Sequence, residues 1–461
     1  MKITLAQINY TVGDFAQNKV RILNALAEAR SHQSDLVVFS ELAICGYPPR
    51  DLLERKDFVE DCIAAIREVA ASVTEDTGVL IGGPEFNRQS EGKMLYNSAY
   101  YLHGGKIEQV FRKALLPTYD IFDEYRYFEP HNDFHILEIK GKKIAVTVCE
   151  DLWDDQPVEN PFSRTRLYTV HPMQSLMKYE PDAIVNIAAS PFSHNRQAVK
   201  REIFTGKAKK HQIPVFMVNQ VGGNTELVFE GGSMAVSASG SIFHEMAHFR
   251  EDLHTFDLDQ VAQFTAIVNP TVPERLAMIH DALVLGIRDY FEKLGFRKAT
   301  LGLSGGIDSA VVLALAVHAL GAENVRVLLM PSQYSSQHSV LDAELLCQNL
   351  AVGYDIISIR DMFDAYTQAL VPVIGNRPED VAEENIQSRI RGTLLMALSN
   401  KLGHILLNTS NKSETAVGYG TLYGDMAGGL SVMGELYKTD VYALANFINK
   451  EKEIIPQNII T

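Results

Sequence analysis

Cysteine is scarce in this chain: four residues of 461 (Cys45, Cys62, Cys149 and Cys347), with no C-x-x-C pair among them. That excludes a disulfide framework and a zinc knuckle, and it points to a reducing compartment, the cytoplasm. Positive charge is also in deficit, with 42 Lys and Arg against 57 Asp and Glu for a formal net charge of −15. Such a balance argues against a basic face for nucleic acid or anionic membrane, while small anionic ligands need only local positive groups. No apolar run reaches transmembrane length, the longest being the helix-core-sized stretch Ala310 to Leu320, so no membrane partner is expected. The opening segment, Met1-Lys-Ile-Thr-Leu-Ala-Gln-Ile-Asn-Tyr10, has no apolar signal core and is broken early by Asn9 and Asp14. Internal repeats and low-complexity tracts are missing too. What remains, 46% hydrophobic and 21% charged residues, is an ordinary globular composition, in a chain long enough for two or three domains.

The first half alternates short β-rich runs with amphipathic segments. Ile3 to Gln7, Leu36 to Ser40, Val79 to Gly82, Ile144 to Val148, Ala183 to Ile187 and Val215 to Asn219 read as buried strands. Phe15 to Arg30 and Phe58 to Ser72 read as helices, and the alternation from Ser233 onward reads as a hairpin turning at Ser239-Gly240. Order weakens over residues 257–273, where Pro270 and Pro273 suggest a linker. The expected division is therefore a domain over 1–256, the linker 257–273, and a second domain over 274–461. In that second domain a helix near Pro273 to Leu294 precedes strands at Ala299 to Leu303, Val325 to Met330, Asp355 to Ile359 and His404 to Asn408. Helical patterns separate them, as in a doubly wound parallel sheet.

The most informative segment is Lys298-Ala-Thr-Leu-Gly-Leu-Ser-Gly-Gly-Ile-Asp-Ser309. A short strand meets a Ser-Gly-Gly turn and a helix begins near Asp308. Glycines let backbone N–H groups close around phosphate oxygens, and the helix N-terminus adds favourable partial charge. No Lys follows the glycines, so this is not a G-x-x-x-x-G-K-[ST] loop. Ser304-Gly-Gly-Ile-Asp-Ser309 instead resembles the pyrophosphate loop of N-type ATP pyrophosphatases. The resemblance implies ATP binding by Gly302, Leu303, Ser304, Gly305, Gly306, Ile307, Asp308 and Ser309, with cleavage to AMP and pyrophosphate.

Three reactive side chains stand at element ends in the first half. Asp35-Leu-Val-Val-Phe-Ser-Glu41 delivers a carboxylate, Phe111-Arg-Lys113 an amine ahead of Pro117, and Lys142-Lys-Ile-Ala-Val-Thr-Val-Cys149 a thiol. Ligands of α/β sheets gather beyond the carboxyl ends of strands. A thiol attacks an amide carbonyl as thiolate, so it needs a base, and an ammonium beside it steadies the developing oxyanion. In order and spacing, Ser40-Glu41-Leu-Ala-Ile-Cys-Gly-Tyr47, Arg112-Lys113-Ala-Leu-Leu-Pro-Thr-Tyr119-Asp-Ile-Phe-Asp-Glu124 and Cys149-Glu-Asp-Leu-Trp153 resemble the nitrilase, or carbon–nitrogen hydrolase, superfamily. That resemblance implies an α-β-β-α sandwich with Glu41 as base, Lys113 as transition-state stabiliser and Cys149 as nucleophile.

Two other patterns carry less. His244-Glu-Met-Ala-His248 matches H-E-x-x-H literally, but it follows a Ser-Gly turn inside an alternating run, where a strand is expected rather than the helix a zinc protease needs. The acidic cluster Glu150, Asp151, Asp154 and Asp155 reads as a hydrogen-bonded loop rather than a metal site.

A nitrilase-like amidase joined to an ATP pyrophosphatase resembles the glutamine-dependent NAD synthetase family. The match spans the whole chain and includes Glu383-Glu-Asn385-Ile-Gln-Ser-Arg389-Ile-Arg391 and Asn408-Thr409-Ser-Asn-Lys412-Ser-Glu414. It implies glutamine, ATP and deamido-NAD as substrates, and assembly as a homo-oligomer. Tyr119, Ser190 and Arg196 would hold glutamine, Thr409 would contact ATP, Asn385 and Glu414 would contact deamido-NAD, and Asp308 and Glu414 would ligate Mg2+. An amidotransferase with another adenylated acceptor, or a binding protein with degenerate sites, are the rival readings. Members of that family continue beyond the position of Thr461 through a segment that closes on the dinucleotide. The expectation for this chain is release of ammonia from glutamine and ATP-dependent amidation of deamido-NAD; an impaired form, in which glutaminase chemistry survives and NAD synthesis does not, is a further alternative.

Overall fold

Alternation along each strand sets the architecture of the first half. Ile3, Leu5, Leu36, Val38 and Leu80 turn into one core, while Val37, Phe39, Val79 and Ile81 turn into another, as a period of two requires. In chain order the elements of this part are β1 (Lys2–Gln7), α1 (Phe15–Ser31), β2 (Leu36–Val38), α2 (Lys56–Ala71), β3 (Gly78–Phe86), β4 (Leu95–His103), β5 (Lys106–Arg112), β6 (Leu137–Ile139) and β7 (Lys142–Val148). They continue as α3 (Pro172–Leu176), β8 (Ala183–Ala188), α4 (Arg196–His211), β9 (Val215–Asn219), the hairpin β10 (Val221–Asn224) and β11 (Leu227–Glu230), β12 (Met234–Val236), β13 (Ile242–Glu245), β14 (Asp252–Asp257) and α5 (Leu258–Gln263). Two six-stranded sheets result, ordered β14-β1-β2-β3-β4-β5 and β13-β12-β9-β8-β7-β6. The first core lies between them; the second lies under α1 and α2, which contribute Ile22, Leu26, Phe58, Val59, Ile66 and Val69. Phe204 and Ala208 of α4 join the inter-sheet cluster. This is the α-β-β-α sandwich expected from the sequence.

This computed structural model describes residues 1–155, 167–266, 274–375 and 377–461. It divides into two compact units, Met1–Val272 and Pro273–Thr461. The linker expected over 257–273 needs correction at its start. Asp257 closes β14 in register with Lys2 and caps α5, and Leu258 and Val261 are buried in the inter-sheet core. Two apolar side chains a helical turn apart hold this stretch to the first unit; residues 267–273 lie outside the described ones.

The second unit comprises α6 (Arg275–Lys293), β15 (Ala299–Gly302), α7 (Ile307–Leu320), β16 (Val325–Leu329), α8 (Gln337–Asn349), β17 (Gly353–Ile356), α9 (Arg360–Ile374), α10 (Val381–Leu402), β18 (Ile405–Asn408), α11 (Lys412–Val417), β19 (Leu430–Ser431), α12 (Lys438–Ile448) and α13 (Gln457–Ile460). Its parallel sheet runs β17-β16-β15-β18-β19. One face packs against α6, α7 and α12; the other meets α9 and α10 through Phe363 and Ile390. Strand order reverses direction between β15 and β18, which is where doubly wound sheets leave a crevice. Among the described residues no helix is long and apolar enough to cross a membrane.

Candidate active sites

In the first unit, Glu41 lies three residues past β2, Lys113 directly past β5 and Cys149 directly past β7. The Glu41 loop can lie flat on β3 because residue 82 is glycine: a Cβ there would fall 2.3 Å from the Leu42 nitrogen and 2.6 Å from the Ser40 oxygen. Cys149 adopts φ +45°, a left-handed conformation unusual for a residue with a Cβ and typical of functional turns. Glu41 and Lys113 have no solvent exposure, and Cys149 is buried.

The polar contacts form one network. Lys113 Nζ donates to Glu41 Oε1 and to Glu124 Oε2, both at 2.7 Å. Among the described residues this uses two of its three N–H groups. Asn97 Nδ2 donates to Glu41 Oε1 at 2.7 Å, the Ala189 N–H to Glu41 Oε2 at 3.1 Å, and the Tyr47 hydroxyl to Glu124 Oε1 at 2.9 Å. Burial by itself would lower the Lys113 ammonium, but Glu124 and Glu41 together hold it well above its usual range. Burial pushes Glu124 up to about 7, with Lys113 opposing and Glu41 reinforcing the rise. The Cys149 thiol is raised by burial and by the Glu41 charge, against the pull of Lys113. The resting sulfur is therefore protonated beside a fixed carboxylate, the state from which a base can take its proton as it attacks.

Around this network lie groups that suit an amino acid. Glu150, buried and raised by burial, accepts at Oε1 from the hydroxyls of Tyr119 and Tyr168, each at 2.8 Å. The Arg196 guanidinium lies 5.9 Å from the centre of the Tyr119 ring and pairs with Asp120 at 3.2 Å. Ser190 is half-buried and held by Asn219, which accepts from its N–H at 2.8 Å and donates to its carbonyl at 3.1 Å.

In the second unit the Ser304–Ser309 loop joins β15 to α7 at the reversal of strand order. Gly305 has φ +80°, and a Cβ on it would fall 2.3 Å from the Ser339 carbonyl oxygen; no other residue fits there. The Ser309 hydroxyl lies 3.2 Å from that of Ser304 and donates to the Gly306 carbonyl at 3.0 Å. Across the reversal, Thr409 directly follows β18. Asn411, fully buried, donates to Asp308 Oδ1 at 2.9 Å, and its backbone N–H reaches Glu414 Oε2 at 3.1 Å. The two carboxylates expected to hold metal thus share one partner. Lys438 binds the other Asp308 oxygen. Half-buried Arg391 of α10 donates to the Met330 carbonyl at 3.2 Å, and burial lowers its guanidinium. Among the described residues no carboxylate pairs with it.

Residues 2–266 match the carbon–nitrogen hydrolase family model and residues 279–461 the NAD synthase model. Glutamine-dependent NAD(+) synthetases from Synechocystis sp. and Thermotoga maritima are 44% and 39% identical over all of this chain, which spans 82% and 83% of their lengths. The solved structure of the Acinetobacter baumannii enzyme with ADP superposes with a TM-score of 0.90 at 36% identity, covering 100% of this chain and 84% of that one. The chain belongs to the glutamine-dependent NAD(+) synthetase family.

For this family member, Glu41 and Lys113 share one buried network whose charges act on the buried Cys149 thiol, Tyr119 and Arg196 stand beside it, and Asp308 and Glu414 meet at Asn411. Asn385 stands apart from the loop: its Oδ1 accepts from the Thr421 hydroxyl at 2.7 Å, and among the described residues no hydrogen bond links it to 304–309. His244 lies on β13, stacked on His254 with centroids 4.3 Å apart, and His248 lies beyond the end of that strand, so the H-E-x-x-H pattern is not helical. Sequence reasoning missed Glu124, Asn97 and Tyr47 in the first site, and Asn411, Lys438 and Arg391 in the second. Glu124 closes the segment that matches the family pattern, 11 residues after Lys113, but no role was read from it. Arg391 had a signal, a second arginine two positions past Arg389 on a core-facing helix.

Proposed function

We propose that the first unit hydrolyses glutamine and that the second uses the ammonia, with ATP, to amidate deamido-NAD. One observation carries this reading: a sealed acid–amine pair whose charges act on a buried thiol, and a pyrophosphate-type loop, occur in one chain. Glu41 takes the Cys149 proton as sulfur adds to the side-chain carbonyl, and Lys113, with the Glu150 N–H, steadies the oxyanion. The proton passes from Glu41 to the departing nitrogen, the C–N bond breaks and ammonia leaves. Water, deprotonated by Glu41, then cleaves the thioester to glutamate and restores the thiol. Arg196 suits the substrate's carboxylate, and Glu150 with its tyrosines suits its ammonium; Ser190 completes the pocket.

In the second unit the nicotinate carboxylate attacks the α-phosphorus of ATP, pyrophosphate leaves onto Gly302–Ser309 and Thr409, and ammonia displaces AMP to give NAD. Asn385 and Glu414 hold the dinucleotide, and Arg391 offers its unpaired charge to a phosphate. Mg2+ is assigned to Asp308 and Glu414 on the chemistry of the donors: two hard carboxylates meet at Asn411 beside the loop, and such an ion completes its shell with phosphate and water. When bound it neutralises phosphate charge. The setting is the cytoplasm and the assembly a homo-oligomer, supported by exposed apolar residues such as Val417, Leu422 and Tyr423.

With glutamine, ATP and deamido-NAD, the protein is expected to release glutamate and AMP together. Cys149→Ala should abolish glutamate release while added ammonia still drives AMP release. Glutamate release that survives this substitution would refute the assignment.

A further inference from the structure

The acidic run behind Cys149 contains a residue with a more specific task than loop formation. Asp151 is 3% exposed. Its Oδ1 accepts the N–H groups of Ala114 and Leu115 at 3.0 and 2.9 Å, and its Oδ2 accepts that of Val148 at 3.0 Å. Ala114 and Leu115 follow Lys113; Val148 precedes Cys149. One carboxylate thus grips both segments that carry the amine and the nucleophile.

Among the described residues no other side chain accepts from both segments. Lys113 lies past the end of β5, so the buried N–H groups at 114 and 115 have no strand partner and would be orphaned without Asp151. On the other side, Cys149 holds a left-handed conformation that persists only when its surroundings impose it. The bond from Val148 to Asp151 closes that turn. Burial raises the Asp151 carboxyl to about 7, while its three backbone donors and Lys113 favour the ionised form. A group held in this way at the junction of two reactive residues is a spacer, not a surface charge.

We propose that Asp151 is a positioning residue for glutamine hydrolysis, fixing the Lys113 ammonium relative to the Cys149 sulfur. This rests on the glutaminase reading above and extends it to a residue that touches neither substrate nor reacting atoms. Asp151→Asn keeps an acceptor for Ala114 and Leu115 but turns an NH2 toward the Val148 N–H, which opens the turn. The expected result is a 10- to 100-fold fall in kcat for glutamate release, with the KM for glutamine changed less than threefold, because Arg196, Tyr119 and Ser190 are untouched. Alkylation of Cys149 by iodoacetamide should slow in parallel. A kcat within twofold of wild type overturns the proposal, and so does a loss shared with a tenfold rise in KM, which would mean general collapse of the pocket. Should the amide variant fail to fold, Asp151→Glu, which keeps the charge at a longer reach, is read by the same two criteria. Absence of glutamate release by the wild-type protein would instead refute the underlying reading.

Discussion

The two sites solve opposite electrostatic problems. In the first unit the charges are already in place and sealed: Glu41 and Lys113 are fully buried, Glu124 nearly so, and backbone and side-chain donors fill their oxygens. In the second unit Ser304 and Gly306 are exposed, the Asp308 and Lys438 side chains keep 19% and 37% of their surface, and Arg391 lacks an anion among the described residues. A neutral amide brings no charge, so the protein must supply a dry, preorganised field for the oxyanion that forms on it. A nucleotide brings several negative charges, so its site needs room and spare donors and is completed by the ligand.

The sharpest way to test that contrast is to remove one lysine from each site. Lys113→Met leaves Glu41 and Glu124 facing each other in a sealed space; loss of one partner from a buried ion pair costs roughly 3–5 kcal/mol. Glutamine hydrolysis should fall by about 10³-fold or more, since an oxyanion donor is lost along with the geometry of the base. Lys438→Met removes a half-exposed pair worth roughly 0–1 kcal/mol. Denaturant unfolding of the two variants reads the difference, and equal destabilisation would break the comparison.

A backbone lesion in the open site should act on that site alone. Gly305→Ala forces a Cβ into a left-handed residue and against the Ser339 carbonyl, a strain of about 1–2 kcal/mol before any clash is counted. ATP-dependent AMP release should fall by roughly 10- to 100-fold, which is the rate equivalent of about 1.4–2.8 kcal/mol. Glutamate release without ATP should stay within twofold of wild type. A parallel loss of both activities would show that the loop's integrity also governs the first site.

How much of this was legible beforehand follows the same division between local and distant. Ser304–Ser309 is readable because strand, loop and helix are contiguous, so six residues encode one structure. Glu41, Lys113 and Cys149 are readable because each ends an apolar run and their order matches a known pattern. Asn97, Tyr47 and Glu124 are not, because they join the network through pairings 56, 77 and 11 residues apart. Part of the reason is β4: the polar Asn97 and Ser98 interrupt its apolar face, so the strand that delivers Asn97 was not anticipated. The edge strand β17 lies at Gly353–Ile356 rather than Asp355 to Ile359; Ile356 and Ile357 are exposed there, so hydrophobicity pointed past its end. Asp151 was visible only as one of four acids, and backbone acceptance leaves no trace in side-chain pattern.

The smallest expected effect measures how dry the first site is. Glu124 has an ordinary value of 4.5 and a folded value of about 7, raised first by burial. The folded protein therefore binds more protons than the unfolded chain between those limits, and stability from this group is full below about 4.5 and is lost as pH rises toward 7. Glu124→Gln has the same shape, can still accept from Lys113, and carries no titration. Comparing the two proteins cancels Asp151, which is present in both and is also raised by burial. The wild-type protein should lose stability relative to the variant by on the order of 1 kcal/mol per pH unit across this window, and the difference should become flat above it. Urea unfolding at half-unit steps from pH 5 to 8 resolves that slope. A difference independent of pH would mean that water reaches Glu124, and the contrast between a sealed site and an open one would fail at its most buried acid.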